Sequence, residues 1–532
     1  MLIETAQGGA IVTINSEDMI RDIRAEFEML LDFVTGEEAR TATADHVERG
    51  LFRLLLSLGA QLLMLFFIMR SQACSREPLQ VEGGQELPYH SEKKRTYFSI
   101  FGKVPFWRPY FYKEGSPGQS PLDGELSLGE GQHSDLLREI VEYLGVYVAY
   151  NKVSDILKRF LDLNLSTRML QQAIAEDAAD VEAYYAQKPA PPPVKEAEIL
   201  VIQADGKGVP IVLETPAEPI VRLGKGQKHG RKKEAIVTTI YTIACAPRTP
   251  EEVVASFFHQ EQDAAQQAVR PRPQNKHVWA TLAGKDVALA RLARQVALRQ
   301  GDHIRHKVAL CDGCEALQSR IQTQFPDFYL ILDFIHPNEY LWQVANSLLG
   351  ETNEQRTEWV ATQTLRMLSG QTAQIIIDFR NLAQNGERTA AQREQLLKTA
   401  NYFKRNLPYM DYPIYLANGW PIASGVIEGA CRHFVKDRFE LSGMRWIEEG
   451  AENLLRLRAV AENDDWDAYH HSRKRQRHSR LYNIPFPNSD ALEVQALDPS
   501  LIKKAHQKDQ TTGQKIIKLQ DRPNYRELPL AA

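Results

Sequence analysis

Residues Glu198 to Asp205 read EILVIQAD, a short apolar run closed by an aspartate. A run of this length, without polar alternation, reads as a strand buried on both faces, as in a sheet covered by helices. Two later runs repeat the pattern, KVALCD (Lys307–Asp312) and FYLILD (Phe328–Asp333). EAIVTTIYTIACA (Glu234–Ala246) is a further strand, and VWATLAGKDVALARLARQVALRQ (Val278–Gln300) has helix spacing. Strands alternating with helices predict an α/β core with a mixed sheet over residues 198–336. Ligands of open α/β sheets gather at the carboxyl ends of strands, so Asp205, Asp312 and Asp333 stand at a crevice. Asp205 and Asp312 are each followed by glycine, which permits a turn and leaves room for a bulky ligand. One strand-end aspartate alone is an ordinary turn or cap residue. Three in one α/β unit shift the reading toward chemistry.

Outward from this core the chain changes character several times. Residues 1–75 read as a helical N-terminal region. Within it, LLLSLGAQLLMLFFIM (Leu54–Met69) is 16 residues long and contains Ser57 and Gln61. A membrane span wants about 20 apolar residues, so this is expected to be a buried helix, with no membrane partner. Residues 76–135 are rich in Gly, Pro and aromatics and predict a small β-rich subdomain. Residues 136–187 return to helix, and Val153–Asp177 fits a helix-turn-helix with Ser166 capping the second helix. In that reading Arg168 and Gln171 face DNA. KPAPPPVK (Lys188–Lys195) marks a stiff linker over 188–197. Residues 337–415 carry only helix signals and predict a helical insertion. Residues 416–465 complete the core with a long helix (Ala423–Glu440, capped by Ser424), and 466–532 read as a basic, partly disordered tail.

The bulk numbers exclude less than these patterns. The 532 residues need several folding units, and 43% hydrophobic with 25% charged residues describes a folded chain. Five scattered cysteines do not form a disulfide framework, and no signal peptide is read at the N-terminus, so the cytoplasm is expected. A net charge of -4 hides any nucleic-acid surface, which must be local. RLGKGQKHGRKK (Arg222–Lys233) is such a patch: a loop with Lys225, Lys228, Arg231, Lys232 and Lys233 and no acid. RKRQRHSR (Arg473–Arg480) is a second, expected to be flexible.

Phosphodiester chemistry needs charge stabilised on entering and leaving oxygens, which two divalent ions about 4 Å apart provide. Mg²⁺ prefers oxygen ligands, so carboxylates from separate strands suit it, with a third acid from a helix. Glu428 is on such a helix, with Arg432 and Lys436 at helix spacing to hold phosphates.

SGVIEGACRHFVKDRFELSGMRW (Ser424–Trp446) resembles the glutamate segment of mutator-like insertion-sequence transposases, the ISKra type in particular. YPIYLANGWPIA (Tyr412–Ala423), EEGAENLLRLRA (Glu448–Ala459), VIQADGKGVP around Asp205 and ALCDGCEAL around Asp312 follow the same pattern. ILDFIHPNEYLW adds an aspartate-two-residues-histidine motif at Asp333 and His336. The resemblance covers about residues 195–460 well. It implies an RNase H-like catalytic core with an all-helical insertion, behind a mainly helical N-terminal DNA-binding region. It also implies a triad, Asp205, Asp312 and Glu428, holding two Mg²⁺ or Mn²⁺ ions, with Asp333 and His336 in support. Asp333 is an alternative second metal ligand. The implied partners are double-stranded DNA, as terminal inverted repeats and target, and further copies of the chain in a homodimer or higher oligomer. The implied place is the bacterial nucleoid. Some relatives carry cysteine pairs near the N-terminal β region, but residues 76–135 contain none, and the lone Cys311–Cys314 spacing does not predict zinc. A catalytically inactive or domesticated DNA-binding relative, and an unrelated nuclease or glycosidase on an α/β scaffold, are the competing readings.

Overall fold

The computed structural model describes residues 16–81, 85–212, 232–259, 270–441 and 443–487, with the backbone of Arg231 and of a hairpin, Leu2–Thr5 and Gly9–Thr13. Its centre is a five-stranded sheet: β1 (Ile199–Ile211), β2 (Arg231–Ile243), β3 (Gln274–Thr281), β4 (His306–Cys311) and β5 (Tyr329–Leu332), in the order β5-β4-β1-β2-β3. β2 is antiparallel to β1 and β3 to β2, whereas β4 and β5 run parallel to β1. The mixed α/β core is thus as expected, with one strand more. Val278–Thr281 belongs to β3, and the helix read there begins only at Lys285, after Gly284 turns the chain at φ +99°.

The uninterrupted apolar run of β1 has a direct cause. Leu200 and Ile202 pack with Leu289, Leu292 and Val296 of the Lys285–Arg299 helix on one face. Ile199 and Val201 pack on the other with Leu341 and Val344. Those two belong to Ile335–Leu349, the first of four helices continued by Gln355–Leu368, Thr372–Gln384 and Ala390–Asn406. The insertion shares the sheet's core: Met367, Phe379 and Phe403 lie in one cluster with Val308 and Ile331 of the strands.

Three further expectations need correction. The Leu54–Met69 segment lies in the helix Ala44–Ala73 but is not buried: Leu58, Phe67 and Ile68 are covered, while Leu55, Leu62, Phe66 and Met69 are exposed. Ser16–Thr35 covers one stripe of the helix, and the hairpin Tyr89–Ser99/Gly102–Phe111 with Leu122 and Leu128 covers another. The proline-rich segment does not part the helices before it from the core. Val146, Ile174 and Ala178 share a cluster with Leu454 and Leu455 of the Glu448–Glu462 helix, and the Tyr185 hydroxyl donates to the Ala459 carbonyl at 3.4 Å.

The basic run at 473–480 is not a flexible tail but part of a helix, Trp466–Leu481. Arg473 and Arg477 are buried on it because their charges are met by acids some 300 residues earlier: Arg473 by Asp177 at 2.8 Å, Arg477 by Asp135 at 2.9 Å. Glu142 completes this cluster, fully buried beside Asp177 and His470. Burial and the neighbouring Asp177 charge hold its carboxyl well above the usual range. The rest of the expected tail, from residue 488, lies outside the described residues.

Candidate active site

The strand register assembles the site. Ala204 of β1 stands opposite Cys311 of β4, and Cys311 opposite Leu332 of β5. The next residue on each strand is Asp205, Asp312 and Asp333, so the three aspartates form a row across the carboxyl edge of the sheet. Adjacent strands are about 4.8 Å apart, which spreads the row over roughly 10 Å. The Asp333 N–H donates to the Cys311 carbonyl at 3.0 Å and pins the row's outer end.

Each aspartate has a different setting. Asp205 lies within a strand, since β1 runs on to Ile211, so Asp205-Gly206 forms no turn. A Cβ at Gly206 would instead overlap the Glu234 carboxylate, which pairs with Lys285. Asp205 Oδ1 accepts from its neighbour Gly206 N–H at 2.6 Å and Oδ2 from the Cys431 thiol at 3.3 Å. Asp312 follows the end of β4, and its Oδ1 accepts the Cys314 N–H at 3.0 Å, turning the chain into the helix Glu315–Gln324. Here glycine does make room: a Cβ at Gly313 would overlap the ring and hydroxyl of Tyr402. Asp333 is fully buried and accepts the Ile335 N–H at 3.0 Å and the Ser424 hydroxyl. Burial raises its carboxyl above the usual range, against the Ser424 hydrogen bond that lowers it.

Ser424 was expected to cap the glutamate helix. Its hydroxyl makes no cap bond and serves Asp333 instead. The helix is α from Gly425 to Gly429, π from Ala430 to Lys436 and α again to Phe439. A π turn shifts the helix phase and often accompanies a functional site. Ile427, Cys431, Phe434 and Val435 bury the inner face against Val209, Ala235 and Val237 of β1 and β2. Glu428 is left at the surface, beside the Asp333 end of the row. Partial burial raises its carboxyl, helped by the negative charges of Asp333, Glu339 and Asp205 and opposed by His336.

The structure groups the expected residues differently from the expected triad: Glu428 meets Asp333 and His336, and no contact joins it to Asp312 among the described residues. The ligating atoms of Asp333, His336 and Glu428 all lie within 4.8 Å of one another. Asp205 joins through Cys431, one turn beyond Glu428. Asp312 opens onto a cleft of about 550 Å³ that it shares with His336, Tyr340, Lys398, Tyr402 and Arg405. Tyr340 and Tyr402 stack at 4.1 Å, with Lys398 5.8 Å over the first ring and Arg405 5.5 Å over the second. Sequence reading missed this wall because it comes from the insertion. The signal was present in KTANYFKR (Lys398–Arg405), where Lys398, Asn401, Tyr402 and Arg405 recur at one-face spacing.

The expected DNA-facing residues are placed as follows. Arg168 and Gln171 are exposed on the helix Thr167–Ala178, which Ser166 caps through the Met169 N–H at 3.2 Å. Arg432 and Lys436 are exposed on the π segment. Arg231, Lys232 and Lys233 belong to β2 rather than to a loop, and Lys232 and Lys233 pair with Glu440 and Glu448. Lys225 and Lys228 lie outside the described residues.

A divalent cation fits the chemistry of this edge. The donors are mainly carboxylate oxygens, and two of the acids are held above their usual range partly because they repel one another or are desolvated, a cost that a cation relieves.

No family model matches the chain, and no curated relative is similar to it. Among solved structures it is similar to a Drosophila P element transposase strand transfer complex, with a TM-score of 0.24 and 9% identity over 74% of this chain and 90% of that one. A likeness at that level carries no argument, and the site stands on its own residues.

Proposed function

We propose that this chain is a DDE-type transposase of the mutator-like, ISKra kind, which binds the terminal inverted repeats of an insertion sequence, cleaves DNA strands and joins them to target DNA. The observation that carries the reading is the in-register row Asp205, Asp312 and Asp333 beneath the helix of Glu428. The strand order, three antiparallel strands with two parallel ones added beside the first, supports an RNase H-like core. Asp205, Asp312 and Glu428 are assigned to hold two Mg²⁺ or Mn²⁺ ions. When bound, the ions supply charge stabilisation for the entering and leaving oxygens of the phosphodiester.

The chain's own residues have separate tasks. Lys398 and Arg405, held over stacked rings, give the phosphates of a strand entering the cleft a fixed cationic wall. Cys431 orients Asp205, and the Cys314 N–H orients Asp312. Arg168 and Gln171 are assigned to the inverted repeats, with Arg432, Lys436 and the 225–233 segment on phosphates. A DNA-bound homodimer in the nucleoid follows from the same reading.

Asp205→Asn, Asp312→Asn and Glu428→Gln are expected to abolish metal-dependent cleavage of the element's ends while end binding persists. Full cleavage by any of them overturns the assignment. The closeness of Asp333 and His336 to Glu428 favours a second arrangement, in which Asp333 replaces Asp312 as ligand. Asp333→Asn with cleavage lost and Asp312→Asn with cleavage kept selects it. Intact protein that binds its ends and never cuts them supports an inactive relative.

A further inference from the structure

The two N-terminal helices form an antiparallel pair. Phe33 lies against Gly50 and His46, near one end, and Glu26 accepts from Gln61 further along. Their contact uses Met19, Ile23 and Leu30 from Ser16–Thr35 and Leu51, Leu54, Leu58, Leu65 and Ile68 from Ala44–Ala73. Each helix carries a second apolar stripe one residue further on: Phe27, Leu31 and Val34 on the first, and Phe52, Leu55, Leu62, Phe66 and Met69 on the second. The second stripe has the alternating three- and four-residue steps of a coiled-coil seam, with Gly59 at the remaining position.

One residue along an α-helix is a turn of about 100°. Because the helices run in opposite directions, the two rotations have opposite sense and bring both stripes to the same side of the pair. All eight side chains are between 37 and 54% exposed. At roughly 150–250 Å² for a large side chain, that leaves on the order of 700 Å² of apolar surface. A standard interface buries about 800 Å² per partner, whereas the largest apolar patch of a monomer is usually about 300–600 Å². At Gly59 a Cβ would come within 2.6 Å of the Phe101 ring, so the hairpin tip closes the one gap in the seam and continues the surface.

We propose that a second copy of this chain covers this face, its own helical pair seated against the first to complete a four-helix bundle. The opposite sides of the Ala44–Ala73 helix argue against lipid as the occupant. They are held by Ser16–Thr35 and by Val104 and Phe106 of the hairpin, packing that immersion would strip away. A two-fold axis through the face can set the first helix, with six acids against two arginines, beside the second helix of the other copy. The proposal is independent of any catalytic role.

The test is sedimentation of the full chain without DNA. The expected species is twice the chain mass of 60.5 kDa, 2 × 60.5 = 121 kDa, at micromolar concentration. Leu62→Glu with Phe66→Glu replaces exposed side chains, so its far-UV circular dichroism stays unchanged, and its dimer dissociation constant rises by about 100-fold or more. A wild-type chain that stays at 60.5 kDa over the whole micromolar range overturns the proposal. So does a folded double variant that still dimerises like wild type. A monomeric wild type that floats with anionic phospholipid vesicles overturns it in favour of a membrane surface.

Discussion

Ser424→Ala removes the hydroxyl that meets the fully buried Asp333 carboxylate. A hydrogen bond to a charged group contributes about 1.5–3 kcal/mol, against about 0.5–1.5 kcal/mol for a neutral one. Asp333 already sits above the usual carboxylate range because burial outweighs its hydrogen bonds. Losing the main opposing bond moves it further up. The sign follows from that direction. A carboxyl raised in the folded state contributes stability below its unfolded pKa and loses it as pH rises through the folded value. The variant's penalty is therefore larger toward alkaline pH and shrinks toward acid, where protonation removes the charge that the hydroxyl meets. Urea denaturation of Ser424→Ala, Asp333→Asn and the double variant, at about pH 8 and about pH 5, measures this. The expected coupling between the two positions is about 1–2 kcal/mol at the higher pH, the excess of a charged over a neutral bond. A Ser424→Ala penalty that is the same at both pH values, or unchanged by Asp333→Asn, refutes the reasoning.

Gly313→Ala pushes Tyr402 from its place beside Asp312; overpacking costs about 1–3 kcal/mol, and cleavage is expected to fall at least about tenfold with end binding kept. Lys398→Ala and Arg405→Ala are each expected to lower the salt dependence of DNA binding by about one phosphate contact, read from the slope of log K against log salt. Glu142, held above the usual carboxylate range by burial and by Asp177, binds its proton more tightly in the folded chain than in the unfolded one. Its stabilisation is complete below the ordinary glutamate range and is lost as pH climbs to the raised folded value. Glu142→Gln cannot lose a proton, so its denaturation midpoint is expected to decline less than wild type toward alkaline pH.

How much of this was legible depended on whether a residue's partner was near in sequence. The strands β1, β4 and β5 announce themselves because helices cover both faces, so every position must be apolar. Asp312 and Asp333 are visible for the same reason, as the first polar residues after their runs, whereas Asp205 follows the buried Gln203 and lies within β1. That they stand in one row is a matter of register, which no local pattern encodes. β3 escaped because NKHVWAT mixes charge and aromatics and runs straight into a strongly helical segment. Arg473 and Arg477 resembled a solvated tail because Asp135 and Asp177, which justify their burial, lie on helices across the Pro-rich segment. The Ala44–Ala73 helix misled in the other direction: apolar composition predicts burial, but burial needs as many neighbours as there are apolar stripes. The glutamate helix was placed correctly, but its π turn and the diversion of Ser424 to Asp333 were not visible in a helical pattern.

The central claim is that acids from β1, the end of β4 and the Gly425–Phe439 helix share divalent metal. Anomalous diffraction from crystals grown with Mn²⁺ tests it most directly, because each ion is located without reference to any activity. The account predicts two peaks about 4 Å apart at the carboxyl edge of the sheet, bound by Asp205, Asp312 and Glu428. Peaks held by none of these carboxylates, or an edge that takes no Mn²⁺ at saturating concentration, contradict it.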